Sequence, residues 1–222
     1  RCFELWKEKF DIYFVKPVSL DIPKVQEVYQ NAKTISFEDS YFSDIKGYNR
    51  LMLSPDFYGK FLDYEYVFTY QTDGYAFKDE LEDWCRKGYD YIGAPWIPSP
   101  KPFPYLDKAF VKIRQKINKW QAKPDRSELY YQVGNGGVSL RKSGVFYNTA
   151  LSDKKNIDLY ISRLGDSSLF NEDVYWFRAP GRGADGKLHK PGCIEALSFA
   201  FDMNPGECLR LNNGQLPFCC HG

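Results

Sequence analysis

Four widely separated strings in this chain carry residue types that do chemistry. Gln71-Thr72-Asp73 follows directly on Tyr66-Val-Phe-Thr-Tyr70, an apolar and β-branched run that reads as a strand buried on both faces. A carboxylate just past such a strand end lies where open α/β sheets bind their ligands. Asp73 there can coordinate a divalent cation while Gln71 and Thr72 contact ribose or phosphate. Hard cations such as magnesium and manganese take oxygen ligands and share them with substrate phosphates. Gly134-Asn135-Gly136-Gly137 is a loop whose glycines let backbone amides come close to a ligand and tolerate positive φ. Asn171-Glu172-Asp173 puts two carboxylates at the start of a helix, a place for a general base. Adjacent helical residues diverge by about 100°, so one acid acts as base and the other positions. His221, in Pro217-Phe-Cys-Cys-His-Gly222, supplies a nitrogen partner if Asp73 binds a metal.

Each string also has a purely structural account. Asp73 can open a turn with Gly74, the glycines can form a tight hairpin, and Asn171 can cap its helix while the two acids favour the positive helix end. A histidine near a chain end is commonly a surface residue. No Gly-Lys-Ser/Thr follows the glycines, which excludes a phosphate-binding P-loop.

The elements that must position these strings alternate. Residues 1–9 read as a helix, 11–15 as a strand, 23–32 as a helix, 34–37 as a strand and 47–58 as one amphipathic helix ending at Gly59. After the strand at 66–70 come a helix at 79–87 and a strand at 89–93, so the pattern predicts an α/β sandwich with a mainly parallel sheet flanked by helices. Residues 131–141 read as two short strand segments around the glycine turn. Helices are expected near Ser143, at 156–163 and from Asn171, with a last packed segment at 194–201. Residues 95–124 form an excursion from a single domain spanning 1–222. Five prolines fall between Pro95 and Pro104. A basic amphipathic helix follows, with Phe110, Ile113, Ile117 and Trp120 on one face and Lys108, Lys112, Arg114, Lys116 and Lys119 around the rest. That stripe either packs on the core or touches anionic lipid or a lipid-linked substrate.

Composition narrows the partners. Thirty Lys and Arg against 29 Asp and Glu give a net charge of +1, which supplies no bulk pull on nucleic acid. Two histidines exclude a multi-histidine metal centre, so any metal leans on carboxylates and phosphates. The six cysteines show no CxxC spacing and read as reduced thiols of a cytoplasmic protein. No apolar run approaches the roughly 18–20 residues of a membrane span.

Taken together, Tyr70-Gln-Thr-Asp-Gly-Tyr-Ala-Phe77, Trp84, Gly88-Tyr-Asp-Tyr-Ile-Gly-Ala-Pro-Trp96, Gly134-Asn-Gly-Gly-Val-Ser-Leu-Arg141, Asn171-Glu-Asp-Val174 and Leu216-Pro-Phe to His221 resemble a bacterial family of uncharacterised glycosyltransferase-like domains. That family looks like a divergent branch of the nucleotide-sugar glycosyltransferases of GT-A, Rossmann-like fold. The resemblance implies a hexosyltransferase-like enzyme that moves a sugar from a nucleotide-diphosphate donor to a hydroxyl of a glycan or lipid-linked acceptor, with inversion, in surface polysaccharide assembly. It implies that Asp73 and His221 hold Mn2+ or Mg2+. It places Gln71 where the family's first metal-motif aspartate contacts ribose, and Thr72 beside it. Asn135, Gly136 and Gly137 would line the donor sugar, Asp173 would take the acceptor proton, and Glu172 would position. Tyr70, Trp96 and Trp176 are candidates to stack on sugar faces. The first strand of the GT-A nucleotide-binding half is expected upstream of Arg1. The implied location is cytoplasmic, with peripheral contact at the inner face of the membrane.

Two other classes remain open. A glycoside hydrolase needs carboxyl groups about 5–9.5 Å apart, for which Asp73 and Asp173 are the candidates. A non-catalytic nucleotide-sugar or carbohydrate-binding module is the main alternative, because Gln71 replaces an acid.

Overall fold

The structure is a computed structural model and describes residues 2–100, 111–113, 115–118, 120 and 125–222. The expected loop and basic helix therefore lie partly outside the described residues.

The chain opens with α1 (Cys2–Trp6), β1 (Tyr13–Pro17), α2 (Pro23–Val28) and β2 (Lys33–Phe37), with β1 and β2 paired in parallel. Pro23 starts α2, where its missing N–H has no intrahelical partner to lose. The single helix expected over 47–58 is two, α3 (Ile45–Leu53) and α4 (Pro55–Gly59). Pro55 cannot donate to the preceding turn and holds Ser54 extended at φ −79°, ψ 135°. Ser54 then caps α4 by accepting from the Asp56 N–H.

Next come β3 (Tyr66–Tyr70), β4 (Gly74–Ala76), α5 (Leu81–Arg86) and β5 (Tyr91–Gly93), then α6, the helical residues 111–113, 115–118 and 120. The chain continues with β6 (Val138–Lys142), α7 (Ser143–Ser152), α8 (Lys154–Ser162), α9 (Glu172–Arg178), α10 (Cys193–Phe199) and β7 (Ala200–Phe201). It closes with α11 (Pro205–Leu211) and β8 (Cys219–His221). The architecture is mixed α/β, with three small sheets ordered β1-β2, β3-β6-β5 and β4-β8-β7 and flanked by helices. Among the described residues no helix is long and apolar enough to cross a membrane, and the six cysteines are free.

The sheet that carries the site corrects the expectation of mainly parallel pairing. β3 and β5 both run antiparallel to β6, and β4 runs antiparallel to β8; among the described residues only β1·β2 and β7·β8 are parallel. The apolar run of β3 has a different cause. Phe68, with Tyr66 and Tyr70, packs on a core of Trp6, Phe199 and Phe218, while Val67 packs on a second core around Tyr58, Phe146 and Trp176. A strand between two cores is apolar on both faces whatever its direction.

β6 is more deeply buried than β3, over its first four residues. Val138 and Leu140 enter the first core, while Ser139 and Arg141 point to the other face, and all four are buried. The second strand segment expected before the glycines reduces to one bridge, Pro95 to Val133.

Candidate functional site

Strand pairing alone brings together residues 150 positions apart. β3 is antiparallel to β6, with Tyr70 opposite Val138, and the Gln71 N–H extends the ladder to the Gly137 carbonyl at 3.0 Å. β4 begins at Gly74, directly opposite His221 on β8. The turn 71–73 is therefore held between the glycine loop and the C-terminal strand. β7 runs parallel to β8 with Phe201 opposite Cys220, so Asp202 emerges one step further along, beside His221.

The result is a half-open polar cluster. His221 Nε2 lies 2.9 Å from Gln71 Oε1 and 3.4 Å from Asp73 Oδ1, and Nδ1 lies 3.3 Å from Asp202 Oδ1. Asp202 also accepts from Asn135 Nδ2 at 2.9 Å, and Asn135 Oδ1 accepts from the Gly137 N–H at 2.9 Å. Asp202 thus ties the ring to the glycine loop. Its hydrogen bond raises the His221 pKa above the ordinary imidazole value, against desolvation and with help from Asp73. Asp73 is 58% exposed, and Thr72 is exposed beside it.

The donor set fits a hard cation in part. Two ligands each about 2.1 Å from one ion lie about 3 Å apart, close to the spacing of His221 Nε2 from Gln71 Oε1 and Asp73 Oδ1. Asp202 sits on the opposite ring nitrogen, where a carboxylate orients a ligating imidazole rather than joining it. Among the described residues no three His, Cys, Asp or Glu side chains converge on one point. An ion here would take Asp73, His221 Nε2 and the neutral Gln71 carbonyl, leaving its other positions to substrate oxygens and water.

A second, sealed cluster lies at the start of α9. Arg141 is fully buried and donates through Nη2 to Glu172 Oε1 at 3.0 Å, through Nη1 to the Tyr58 hydroxyl at 2.7 Å and through Nε to Ser139 Oγ at 2.9 Å. Burial opposes its charge, yet Glu172, followed by Tyr58 and Tyr91, holds the guanidinium above its usual range. The expected cap, Asn171, makes no side-chain cap. Asn49 on α3 does so from 123 positions away, its Oδ1 accepting the Glu172 N–H at 2.6 Å. Glu172 Oε2 is buried without a hydrogen-bond partner among the described residues, and the Tyr48 hydroxyl is buried beside Gln71. In native proteins such an atom calls for an explanation, and an unplaced water or ion is one of them.

Asp173 behaves differently from its neighbour. It retains some exposure, and its Oδ1 accepts only the adjacent Val174 N–H at 2.8 Å. Burial first, then the charge of Glu172, push its pKa up to about 7, against the Val174 N–H and Arg141. A carboxyl poised there exchanges protons near neutral pH.

The two clusters meet at the glycine loop, for a reason other than positive φ, which none of its glycines adopts. A Cβ on Gly136 would lie 2.0 Å from Glu172 Oε1, and one on Gly137 would lie 2.2 Å from His221 Nε2. The glycines are required because the Glu172 carboxylate and the His221 ring rest directly on the backbone.

The structure thus gathers Gln71, Asp73, Asn135, Gly137 and His221 into one cluster, with Gly136 and Glu172 next to it. It places three aromatic candidates elsewhere. Trp96 is buried edge-to-face on Phe177 and against Gly134. Trp176 is fully buried with Nε1 donating to the Met52 carbonyl, and the Tyr70 hydroxyl pairs with Cys2 Sγ. Sequence reading missed Asp202, Arg141, Asn49 and Tyr48 as parts of the site. Asp202 carried the same signal as Asp73, a carboxylate just past an apolar run, Ser198-Phe-Ala-Phe201. A separate groove of about 540 Å³, lined by Ser36, Glu38, Asp56, Lys60 and Tyr147 among others, shares no residue with either cluster.

A family model described as a protein of unknown function (DUF5672) matches residues 31–221, a span that contains both clusters. No curated protein and no solved structure matches the chain.

Proposed function

We propose that this chain, which belongs to the DUF5672 family, is a GT-A-like glycosyltransferase using a nucleotide-diphosphate sugar. The observation that carries the reading is the meeting of His221 with Gln71 and Asp73 at the end of β3, its far ring nitrogen held by Asp202. The resemblance assigned Gln71, Asp73 and His221 to one site, and independent strand pairings bring them together.

In this reading Asp73 and His221 would hold Mn2+ or Mg2+ with the Gln71 carbonyl. The cation, when bound, neutralises charge on the departing diphosphate. The chain's own residues do the rest. Asp202 fixes the ring so that Nε2 faces the turn, and the Asn135 side chain ties that carboxylate to the glycine loop. Asp173 accepts the proton of the acceptor hydroxyl as its oxygen bonds to the anomeric carbon and the bond from that carbon to the diphosphate oxygen breaks. A base with a pKa of about 7 suits that role, and such bases contribute roughly 10²–10⁴-fold. Bacterial surface glycan assembly, at the cytoplasmic face of the membrane, is the setting the resemblance favours. The acceptor is then a glycan or a lipid-linked sugar.

Calorimetric titration of nucleotide diphosphates and nucleotide sugars, with and without manganese, tests the reading on wild type and Asp73→Ala. Manganese-dependent binding that disappears in the variant is expected. No binding across the panel overturns it. One observation favours a second reading, a non-catalytic nucleotide-sugar or carbohydrate-binding module: the neutral Gln71 carbonyl stands where a carboxylate is expected, 2.9 Å from His221. Donor binding without turnover, with acceptors supplied, would select it.

A further inference from the structure

The helix α6 is attached by its polar side. Val111, Gln115 and Asn118, spaced i, i+4 and i+7, are half-buried. Gln115 Nε2 donates to Ser127 Oγ at 3.0 Å and Asn118 Nδ2 donates to Asp125 Oδ2 at 2.9 Å. Ile113 lies about 200° around the helix from Val111, and Ile117 and Trp120 continue its stripe. These three are 55%, 48% and 85% exposed. Surface helices normally bury the apolar stripe and expose the polar one. Here the arrangement is reversed.

The charge around the stripe identifies what covers it. Lys112 and Lys116 are exposed next to it, and residues 107–120 contain five basic side chains against one acid, Asp107. A second copy docked stripe to stripe would bring Lys112 and Lys116 of both copies together, which like-charge repulsion opposes. A surface that is apolar beneath and anionic above satisfies both features. Tryptophan is the residue that best suits the boundary between the two.

We propose that this face of α6 docks on an anionic lipid bilayer, the helix lying in the plane of the interface. The inference rests on α6 alone and stands whether or not the chain transfers sugars.

The protein carries its own reporter. Trp6, Trp84, Trp96 and Trp176 are buried, so Trp120 is the one exposed tryptophan of five. Phosphatidylcholine vesicles with and without phosphatidylglycerol are added to the intact chain at low salt. The expected result is co-flotation and a blue shift of tryptophan emission with the phosphatidylglycerol vesicles, both reversed by high salt. Lys112→Ala with Lys116→Ala weakens binding about 30-fold. Ile113→Asp with Ile117→Asp abolishes it and changes the thermal midpoint little, because each side chain is already about half exposed. No association with anionic vesicles at low salt overturns the proposal, as does equal binding to neutral vesicles. A concentration-dependent dimer in sedimentation velocity that the double aspartate variant dissolves also overturns it, and assigns the face to a second copy.

Discussion

On one side of the glycine loop a carboxylate is locked away, and on the other a carboxylate stands in the open. Glu172 is 3% exposed and paired with a fully buried Arg141, whereas Asp73 is 58% exposed and reaches only the edge of His221. Gly136 lies under the first and Gly137 under the second. The same chemical group, a carboxylate, is therefore in two opposite environments on either side of one short loop. The sealed pair holds α9 against β6, and the open cluster is left free to exchange partners. Asp173 stands between these regimes. Its proton affinity rises first because it is buried, and then because it is next to Glu172 in the chain and shares its negative field without an arginine of its own.

The contrast can be broken in order of expected effect. Asp173→Asn should lower transfer by roughly 10²–10⁴-fold, and wild-type kcat/KM should rise with pH through about 7 as the base loses its proton. Stability should move the opposite way. With the folded pKa raised above the usual carboxylate value, the charged form penalises the fold increasingly from about pH 4 to about pH 7 and fully above that. The asparagine variant should therefore melt above wild type at alkaline pH, and the gap should close in acid. Thermal melts across that range check the sign. A gap of constant size would mean that Asp173 is not the titrating group.

Glu172→Ala should destabilise by about 3–5 kcal/mol in urea denaturation, because it strands a buried guanidinium. Replacing both partners, Arg141→Met with Glu172→Leu, should recover most of that loss. If the double variant is no better than the single, the sealed pair contributes more than mutual neutralisation. Asp202→Asn should weaken manganese binding by about 10–100-fold in calorimetry, the usual effect of losing a carboxylate behind a ligating histidine. It should change stability little.

The two glycines give the sharpest test at the smallest scale. Gly136→Ala should cost about 1–3 kcal/mol, since its methyl meets a carboxylate that has nowhere to move. Gly137→Ala pushes on a histidine ring at the edge of the site, so its cost should stay below about 1 kcal/mol. Manganese binding should fail in the second variant and survive in the first wherever that protein folds. Equal behaviour of the two would erase the distinction between the sealed and the open cluster.

Local chemistry made much of this legible beforehand. Strand β2, the helices from Ser143 and Glu172, and the turn after β3 follow from apolar runs, proline and glycine placement and residue types within a few positions. The candidates Gln71, Asp73, Asn135, Gly137 and His221 were visible as short strings, because carboxylate, amide, glycine and imidazole are recognisable one residue at a time. Strand direction was not legible, since an apolar run on both faces reports two neighbouring cores and says nothing of polarity. The resemblance gave Glu172 and Asp173 different parts, but the contacts that make their surroundings differ, Arg141 arriving from β6 and Asn49 from α3, were not legible. Asp202 became a partner of His221 only through the parallel pairing of β7 with β8. The face that α6 presents was undecided for the same reason: helical spacing defines two stripes, and only the hydrogen bonds of Gln115 and Asn118 select which one turns inward. The sequence by itself determined the reactive groups and the local elements, which are properties of neighbouring residues. The tertiary structure alone decided burial, charge pairing and orientation, which are set by contacts made across the whole length of the chain.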